Sequence, residues 1–196
     1  MPGSEAFLTQ HMAAHIAAIN MLAPLCVAAG LRFAVGRIAL PGAPLVPATV
    51  LQLMLIWGWH LPAVFDTAVC TPALMAAMHA SLFLSACWFW LAVMREARSA
   101  RWTPLAALLV TGKLFCLLGV LLAFAPRALY GQDVPICFGA TQSPALADQQ
   151  LAGLLMLTAC PVVYVGAAVA VACRWFAALA KDGGWNPVRR GARWPS

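Results

Sequence analysis

Four histidines are the side chains of this sequence best suited to metal chemistry. His11 and His15 are four positions apart, so on a helix both rings point the same way, one turn apart. His60 and His79 follow in two later segments, and Met75 precedes His79 by the same four positions. Imidazole binds Cu(II) or Zn(II), and the soft thioether of Met favours Cu(I), so these residue types together are typical of a copper site.

Motifs of enzymatic catalysis are missing. His11-Met-Ala-Ala-His15 resembles the zinc-protease pattern HExxH, but Met12 stands where the catalytic Glu must be. The sequence contains no GxSxG, P-loop or GxGxxG motif, and no apolar segment contains a pair of carboxylates. We therefore expect a protein that is not an enzyme.

Long apolar segments must position the histidines. Of the 196 residues, 63% are hydrophobic and 9% are charged, with a mean hydropathy of +0.85. Soluble domains are about 45–50% apolar and about 25% charged, so this composition excludes a water-soluble globule. A bilayer core about 30 Å thick needs about 20 apolar residues per helix, and the sequence predicts an all-α, polytopic transmembrane helix bundle. The five predicted spans are 7–30, 45–65, 73–94, 104–125 and 149–178.

Basic residues predict how these spans are oriented. If the N-terminus lies outside, every Arg and Lys of the loops and tail except Arg127 lies on the opposite side. Cytoplasmic loops carry an excess of Lys and Arg, so we expect the C-terminus in the cytoplasm. The same rule explains the net charge of +6 without nucleic acid as a partner. One domain over 1–180 and a basic, membrane-surface tail over 181–196 complete this organisation.

The predicted orientation places all four histidines in one layer near the outer face. At 1.5 Å per residue, His11 and His15 lie about 6 and 12 Å below the start of the first span. His60 lies about 7 Å below the outer end of the second span near Phe65, and His79 about 9 Å into the third. Intramembrane imidazoles usually face the bundle interior, so the rings are candidate ligands. Each ring can instead be a core residue that is hydrogen-bonded to a neighbouring helix.

The start of the fifth span lies at the same predicted level. Gln149, Gly153 and Met156 share one helical stripe, and Gly153 permits close approach of another helix. Asp148 is expected either to cap its own helix or to orient a ligand imidazole. The first span lacks the basic start of a signal peptide, and we expect it to be a retained helix.

The seven cysteines contain no CxxC pair. Cys70 and Cys137 both fall in predicted outer loops, where an oxidising compartment permits a disulfide. The other five are expected to be small hydrophobic residues. Lys113, inside the fourth span, is expected either to snorkel to the interface or to face a cavity.

Four passages form an ordered pattern that covers most of residues 7–175. They are His11-Met-Ala-Ala-His15 running into Met21-Leu-Ala-Pro24, Trp59-His-Leu-Pro62 with Phe65-Asp66, Met78-His79 with Phe83 and Trp88-Phe-Trp90, and Phe124-Ala-Pro-Arg-Ala-Leu-Tyr130 with Asp148-Gln-Gln-Leu-Ala-Gly153 and Met156. In order and spacing they resemble the CtaG-like family of bacterial cytochrome c oxidase assembly factors, the polytopic membrane family associated with the caa-type oxidase.

The resemblance implies a multi-pass protein of the bacterial inner membrane that helps to mature a haem–copper oxidase and to deliver its copper. Its implied partners are an oxidase subunit or another assembly factor, in addition to the lipid bilayer. The implied ligands and adjoining residues are His11, His15, His60 and His79, with Asp148 and Gln149 or Gln150. Met75 and Met156 adjoin this set by their spacing along the predicted helices.

Two other functions stay open. A b-type membrane cytochrome would pair His11 or His15 with His60 or His79 as axial ligands of haem b. A copper permease would need a path through the whole membrane, whereas the predicted inner half offers only Lys113 and cysteines.

Overall fold

The computed structural model describes residues 6–33, 44–99, 102–131 and 146–182, which are helical and contain no strand. The α-helices are α1 (Phe7–Ile16), α2 (Ala23–Phe33), α3 (Leu45–Trp59), α4 (Pro62–Cys70), α5 (Pro72–Glu96), α6 (Thr103–Ala123) and α7 (Leu146–Asp182). A π-helical segment (Ala17–Leu22) joins α1 to α2, and a 3-10 turn (Ala97–Ser99) follows α5. The predicted basic tail therefore begins within α7, and its remainder lies outside the described residues.

Four helical segments of the described chain are long and apolar enough to cross a membrane: Phe7–Phe33, Pro72–Glu96, Thr103–Ala123 and Leu146–Ala180. A fifth is obtained when α3 and α4 are counted as one broken span. Large apolar side chains such as Leu25, Met54 and Val162 are exposed on the outer surface of the bundle. This surface is suited to lipid, and the predicted all-helical, polytopic membrane bundle is confirmed.

The second predicted span, 45–65, is not one continuous helix. α3 ends one residue before His60, and α4 leaves the break at an angle of 75° to it. Pro62 causes the break, because proline disfavours helical backbone at the preceding residue. Leu61 is accordingly extended, with φ −63° and ψ 130°. His60 thus lies at a bend, and the depth of about 7 Å counted along a straight helix does not apply.

The segment after α6 holds this bend in place. Tyr130 donates its hydroxyl hydrogen to the carbonyl of His60 over 2.9 Å, and its ring centroid lies 4.6 Å from that of Phe65. Gly131, at φ 75°, donates its N–H to the carboxylate of Asp66 over 3.0 Å. A positive φ favours glycine at this position. The carbonyl that the bend releases therefore has a partner, as an apolar environment requires.

The π-helical segment ends two residues before a proline, and a tryptophan supplies a hydrogen bond that the proline cannot make. The N–H of Ala23 bonds to the carbonyl of Ala18, five residues back. Pro24 follows and has no N–H, so the carbonyl of Ile19 lacks a partner within its own helix. Trp90 of α5 donates its indole N–H to this carbonyl over 3.0 Å. The widened turn and α5 are thereby joined inside the bundle.

α6 and α7 approach closely because glycine removes side chains from their interface. A Cβ atom on Gly153 would lie 2.5 Å from the backbone nitrogen of Ala123 and 2.7 Å from the carbonyl oxygen of Gly119. The prediction that Gly153 permits close helix approach is confirmed. α7 also packs against α1, so it connects the first helix of the chain to α6.

Replacing Gly153 with Ala should destabilise the protein, because the added methyl group must displace the backbone of α6, and overpacking costs about 1–3 kcal/mol. Gly166→Ala is the matched control on the same helix, since a Cβ there meets nothing within 4 Å. Thermal unfolding of the purified variants in detergent measures both effects. Equal unfolding temperatures for the two variants would contradict this packing.

Candidate metal centre

α1 and α5 bring three imidazole rings together. The ring centroids of His11 and His15 lie 4.3 Å apart, and that of His79 lies 5.2 Å from the first and 4.6 Å from the second. One ring nitrogen from each residue lies within 4.8 Å of the other two. His11 and His15 meet because residues four apart share a helix face. We call these three residues the histidine cluster.

Three nitrogens of the histidine cluster lack the hydrogen bonds that buried polar atoms normally make. Among the described residues, neither ring nitrogen of His15 has a partner, nor has Nε2 of His11. An unpaired buried polar atom costs about 1–3 kcal/mol. His79 donates its Nδ1–H to the carbonyl of Met75 over 2.8 Å, so its Nε2 carries a lone pair. A backbone bond at one nitrogen and a lone pair at the other is the usual arrangement of a metal-binding histidine.

The nitrogen spacing of the histidine cluster fits one ion after a small movement. Metal–imidazole bonds are about 2.0–2.1 Å long, so two nitrogens on one ion are at most about 4.2 Å apart. The observed limit of 4.8 Å exceeds this separation only slightly. Small rotations of the imidazole rings supply the difference, because the ring torsion is broad. Three imidazole nitrogens suit copper or zinc.

His60 stands beside the histidine cluster rather than within it. Its ring centroid lies 6.2 Å from that of His15. Its Nδ1–H donates to the carbonyl of Ile56 over 2.6 Å, which leaves a lone pair on Nε2. That Nε2 lies 3.3 Å from Sδ of Met12. The four predicted ligands are thus divided into a group of three and one ring next to a thioether.

Aromatic rings enclose the imidazoles. Phe65 of α4 lies edge-on to His11 at a centroid distance of 5.2 Å and is stacked with His60 at 6.4 Å. Phe7 stacks on His11 at 5.9 Å. The bend after α3 therefore serves the site, because it turns α4 so that Phe65 reaches both rings.

Asp148 positions the histidine cluster by capping α1. Its Oδ2 accepts the N–H of Leu8 over 2.7 Å, and its Oδ1 accepts the N–H and the hydroxyl hydrogen of Thr9 over 3.0 and 2.6 Å. α1 has no side-chain cap of its own, and a carboxylate is stabilised at the positive end of a helix. This role differs from both expectations for Asp148, since the described bonds of its carboxylate go neither to α7 nor to an imidazole.

The other predicted adjoining residues have different surroundings. Gln149 accepts the N–H of Leu129 over 2.7 Å and donates to the carbonyl of Leu122 over 3.2 Å, so it ties α7 to the end of α6. Gln150 is half-buried on the first turn of α7. Met75 contacts the ring of His79 through its backbone carbonyl. Met156 is buried, and it lines a small cavity shared with His15 and His60.

The cysteines of the described residues and Lys113 have different surroundings. Cys160 is buried and lines the same small cavity as Met156. Cys70 is disulfide-bonded. Its predicted partner Cys137 lies outside the described residues, so the pairing stays a prediction. Lys113 is exposed on α6, which agrees with snorkelling rather than with a cavity. Five cysteines have free thiols: Cys26, Cys87, Cys116, Cys160 and Cys173.

Three residues of the site were not recognised in the sequence. The sulfur of Met12 lies 3.3 Å from Nε2 of His60. Tyr130 supports the bend, although no local pattern predicts a hydrogen bond to the carbonyl of His60, 70 residues earlier. Asn20 is buried within the first span, and the one sequence signal that could have identified it is an amide in the middle of an apolar run.

Asp148→Asn should loosen the first turn of α1, because an amide N–H₂ then faces backbone donors, and loss of a helix cap costs about 0.5–2 kcal/mol. Hydrogen exchange at the amides of Leu8 and Thr9 should become faster. Gln150→Ala is the control on the same turn of α7, and it should leave that exchange unchanged. Wild-type exchange rates in Asp148→Asn would contradict the capping role.

A comparison with known protein families matches most of the chain to one family model. Residues 3–178 match the family described as cytochrome c oxidase caa3 assembly factor (Caa3_CtaG), in agreement with the resemblance of the four passages. No curated protein and no solved structure matches the chain. The matched range contains the histidine cluster, the bend at His60 and the Asp148 cap. The chain therefore belongs to the cytochrome c oxidase caa3 assembly factor family.

Proposed function

We propose that this protein assists assembly of a caa3-type oxidase by holding copper at the histidine cluster and passing it to an oxidase subunit or to another assembly factor. The observation that carries the proposal is the convergence of three imidazoles, in which Nε2 of His11 and both ring nitrogens of His15 have no hydrogen-bond partner among the described residues. Burial of such atoms is costly unless a further group satisfies them. A copper ion is that group, and it is the cargo that the client oxidase requires.

The ligand set suits transient binding. Three imidazoles leave at least one coordination position free for a ligand from a partner, as in metal sites that exchange ligands. His79 is more exposed than His11 and His15, so its side of the cluster is the entry and exit. We place this side at the periplasmic face of the bacterial inner membrane, following the distribution of basic residues.

The geometry favours metal transfer over catalysis. The carboxylate of Asp148 uses both of its oxygens to cap α1. With both oxygens in these bonds, Asp148 is a poor candidate for a general base beside the imidazoles. We therefore propose a non-enzymatic role, in line with the description of the family.

Haem is a poorer occupant than copper. Two axial imidazoles must leave room for a porphyrin between their rings. The rings of the histidine cluster are packed against each other, and the space between His15 and His60 is a cavity of about 10 Å³. The purified protein should therefore show no Soret band in its absorption spectrum. A Soret band at one haem per chain would replace copper with haem b in this proposal.

The double variant His11→Ala/His79→Ala should bind copper at the histidine cluster at least about tenfold more weakly than wild type, because two of three ligands are lost. Ser85→Ala is the matched control on α5, since Ser85 is buried and bonds only to the carbonyl of Leu82 among the described contacts. Competition with a chromophoric copper chelator measures the number of bound copper ions and their affinities. An unchanged number and unchanged affinities in the double variant would exclude the histidine cluster as a site.

The same variants test the role in cells. In a strain that lacks this protein, wild type and Ser85→Ala should restore the copper content and activity of the oxidase, whereas His11→Ala/His79→Ala should not. The membrane level of each variant is measured by immunoblot, so that loss of protein is separated from loss of function. Full restoration by the double variant would refute copper delivery through the histidine cluster.

A further inference from the structure

A second group of metal-binding atoms lies on the other side of His15. A cavity of about 10 Å³ there is lined by residues of α1, α3, α6 and α7, of the π-helical segment and of the bend at His60. Its lining contains three sulfur atoms, from Met12, Met156 and Cys160, together with the ring of His60. A space of about this size accommodates a single water-sized occupant.

No hydrogen atom is available for a hydrogen bond between Nε2 of His60 and Sδ of Met12. Nδ1 of His60 uses its hydrogen in the bond to the carbonyl of Ile56, so the neutral ring presents a lone pair at Nε2. A thioether sulfur has lone pairs and no hydrogen. Two electron-rich atoms therefore face each other at 3.3 Å, and a cation between them would convert this contact into an attractive one.

Asn20 supplies the second independent indication of a ligand. It is 3% exposed and lines the same cavity, and its Oδ1 has no hydrogen-bond partner among the described residues. Its Nδ2 donates to Sγ of Cys160 over 3.5 Å, which orients the sulfur lone pairs. Asn20 lies in the π-helical segment, and π-turns are frequent at functional sites.

We propose that Met12, His60, Met156 and Cys160 form a second metal position, selective for a soft monovalent cation such as Cu(I). Thiolate and thioether ligands select Cu(I), whereas imidazoles alone accept Cu(II) or Zn(II). The thiol of Cys160 loses its proton to solvent when the metal–sulfur bond forms, so binding releases one proton. Asn20 is a positioning residue that acts through its bond to Cys160.

This sulfur position goes beyond the proposed function, because its ligands do not include the histidine cluster. His15 lines the cavity and also belongs to the cluster, so the two positions are direct neighbours. A Cu(I) ion held by the imidazoles can therefore pass to the sulfur-rich site without a change of oxidation state and without leaving the bundle. The sulfur position would store Cu(I) behind the exchangeable histidine cluster.

The test uses the full chain in detergent, in the His11→Ala/His79→Ala background, with Cu(I) added anaerobically in competition with a chelator. The protein should retain one tightly bound Cu(I), and copper X-ray absorption should show sulfur ligands. Adding Cys160→Ala or Met156→Leu should lower the remaining affinity at least about tenfold, and Asn20→Leu by about the same factor. Cys173→Ala and Met54→Leu are matched controls on exposed positions, and they should change nothing.

Circular dichroism and gel filtration verify that each variant is folded. If Cys160→Ala does not fold, Met156→Leu, which keeps the side-chain volume, still tests the sulfur position. A folded background variant without bound Cu(I), bound Cu(I) without sulfur ligands, or an affinity unaffected by both Cys160→Ala and Met156→Leu would each overturn the sulfur position. If the proposed function fails instead, the wild-type protein binds copper only through sulfur ligands. The sulfur position is then still supported, although the histidine cluster binds no copper.

Discussion

An apolar interior surrounded by lipid penalises every polar atom without a partner, and this constraint explains the internal architecture of the bundle. The carbonyl released at the bend is paired with Tyr130, and the carbonyl released by Pro24 is paired with Trp90. The buried carboxylate of Asp148 is fully used at the end of α1. Against this background, six unpaired polar atoms are exceptions among the described residues: Nε2 of His11, both ring nitrogens of His15, Oδ1 of Asn20, Oε1 of Gln52 and Oγ1 of Thr111. Three of these six atoms lie in the histidine cluster, and this concentration supports the proposal that a ligand binds there.

Two departures from regular helix shape the surroundings of these nitrogens. The bend before α4 directs an aromatic ring towards His11 and His60, while the π-helical turn belongs to the lining of the neighbouring cavity. Each departure is accompanied by a proline, and the released carbonyl is paired by a side chain from another part of the chain, Tyr130 after α6 or Trp90 of α5. The three residues of the histidine cluster lie on regular helices, whereas His60 lies at the bend.

Most of the fold follows from hydropathy and from the positions of prolines. The segments that became α5, α6 and α7 begin within three residues of their predicted starts, because long apolar runs leave few alternatives in a bilayer. The spacing of His11 and His15 also predicts their shared face correctly.

The break within 45–65 was not predicted, since a proline in a span can kink, break or end a helix, and partners such as Tyr130 decide between these outcomes. The separation of His60 from the other three rings follows from that break. The capping of α1 by Asp148 could not be predicted from the sequence either, because it depends on the tertiary packing of α1 against α7.

The bonds between Asp148 and Leu8 join residues that are 140 positions apart. A ribosome therefore has to deliver nearly the whole bundle to the membrane before the first turn of α1 can acquire its cap. Until then the two histidines of α1 are present but lack the contact that anchors their helix to α7. The order of synthesis consequently delays capping of α1 to the end of translation, so a chain truncated before α7 holds its first two histidines on an uncapped helix.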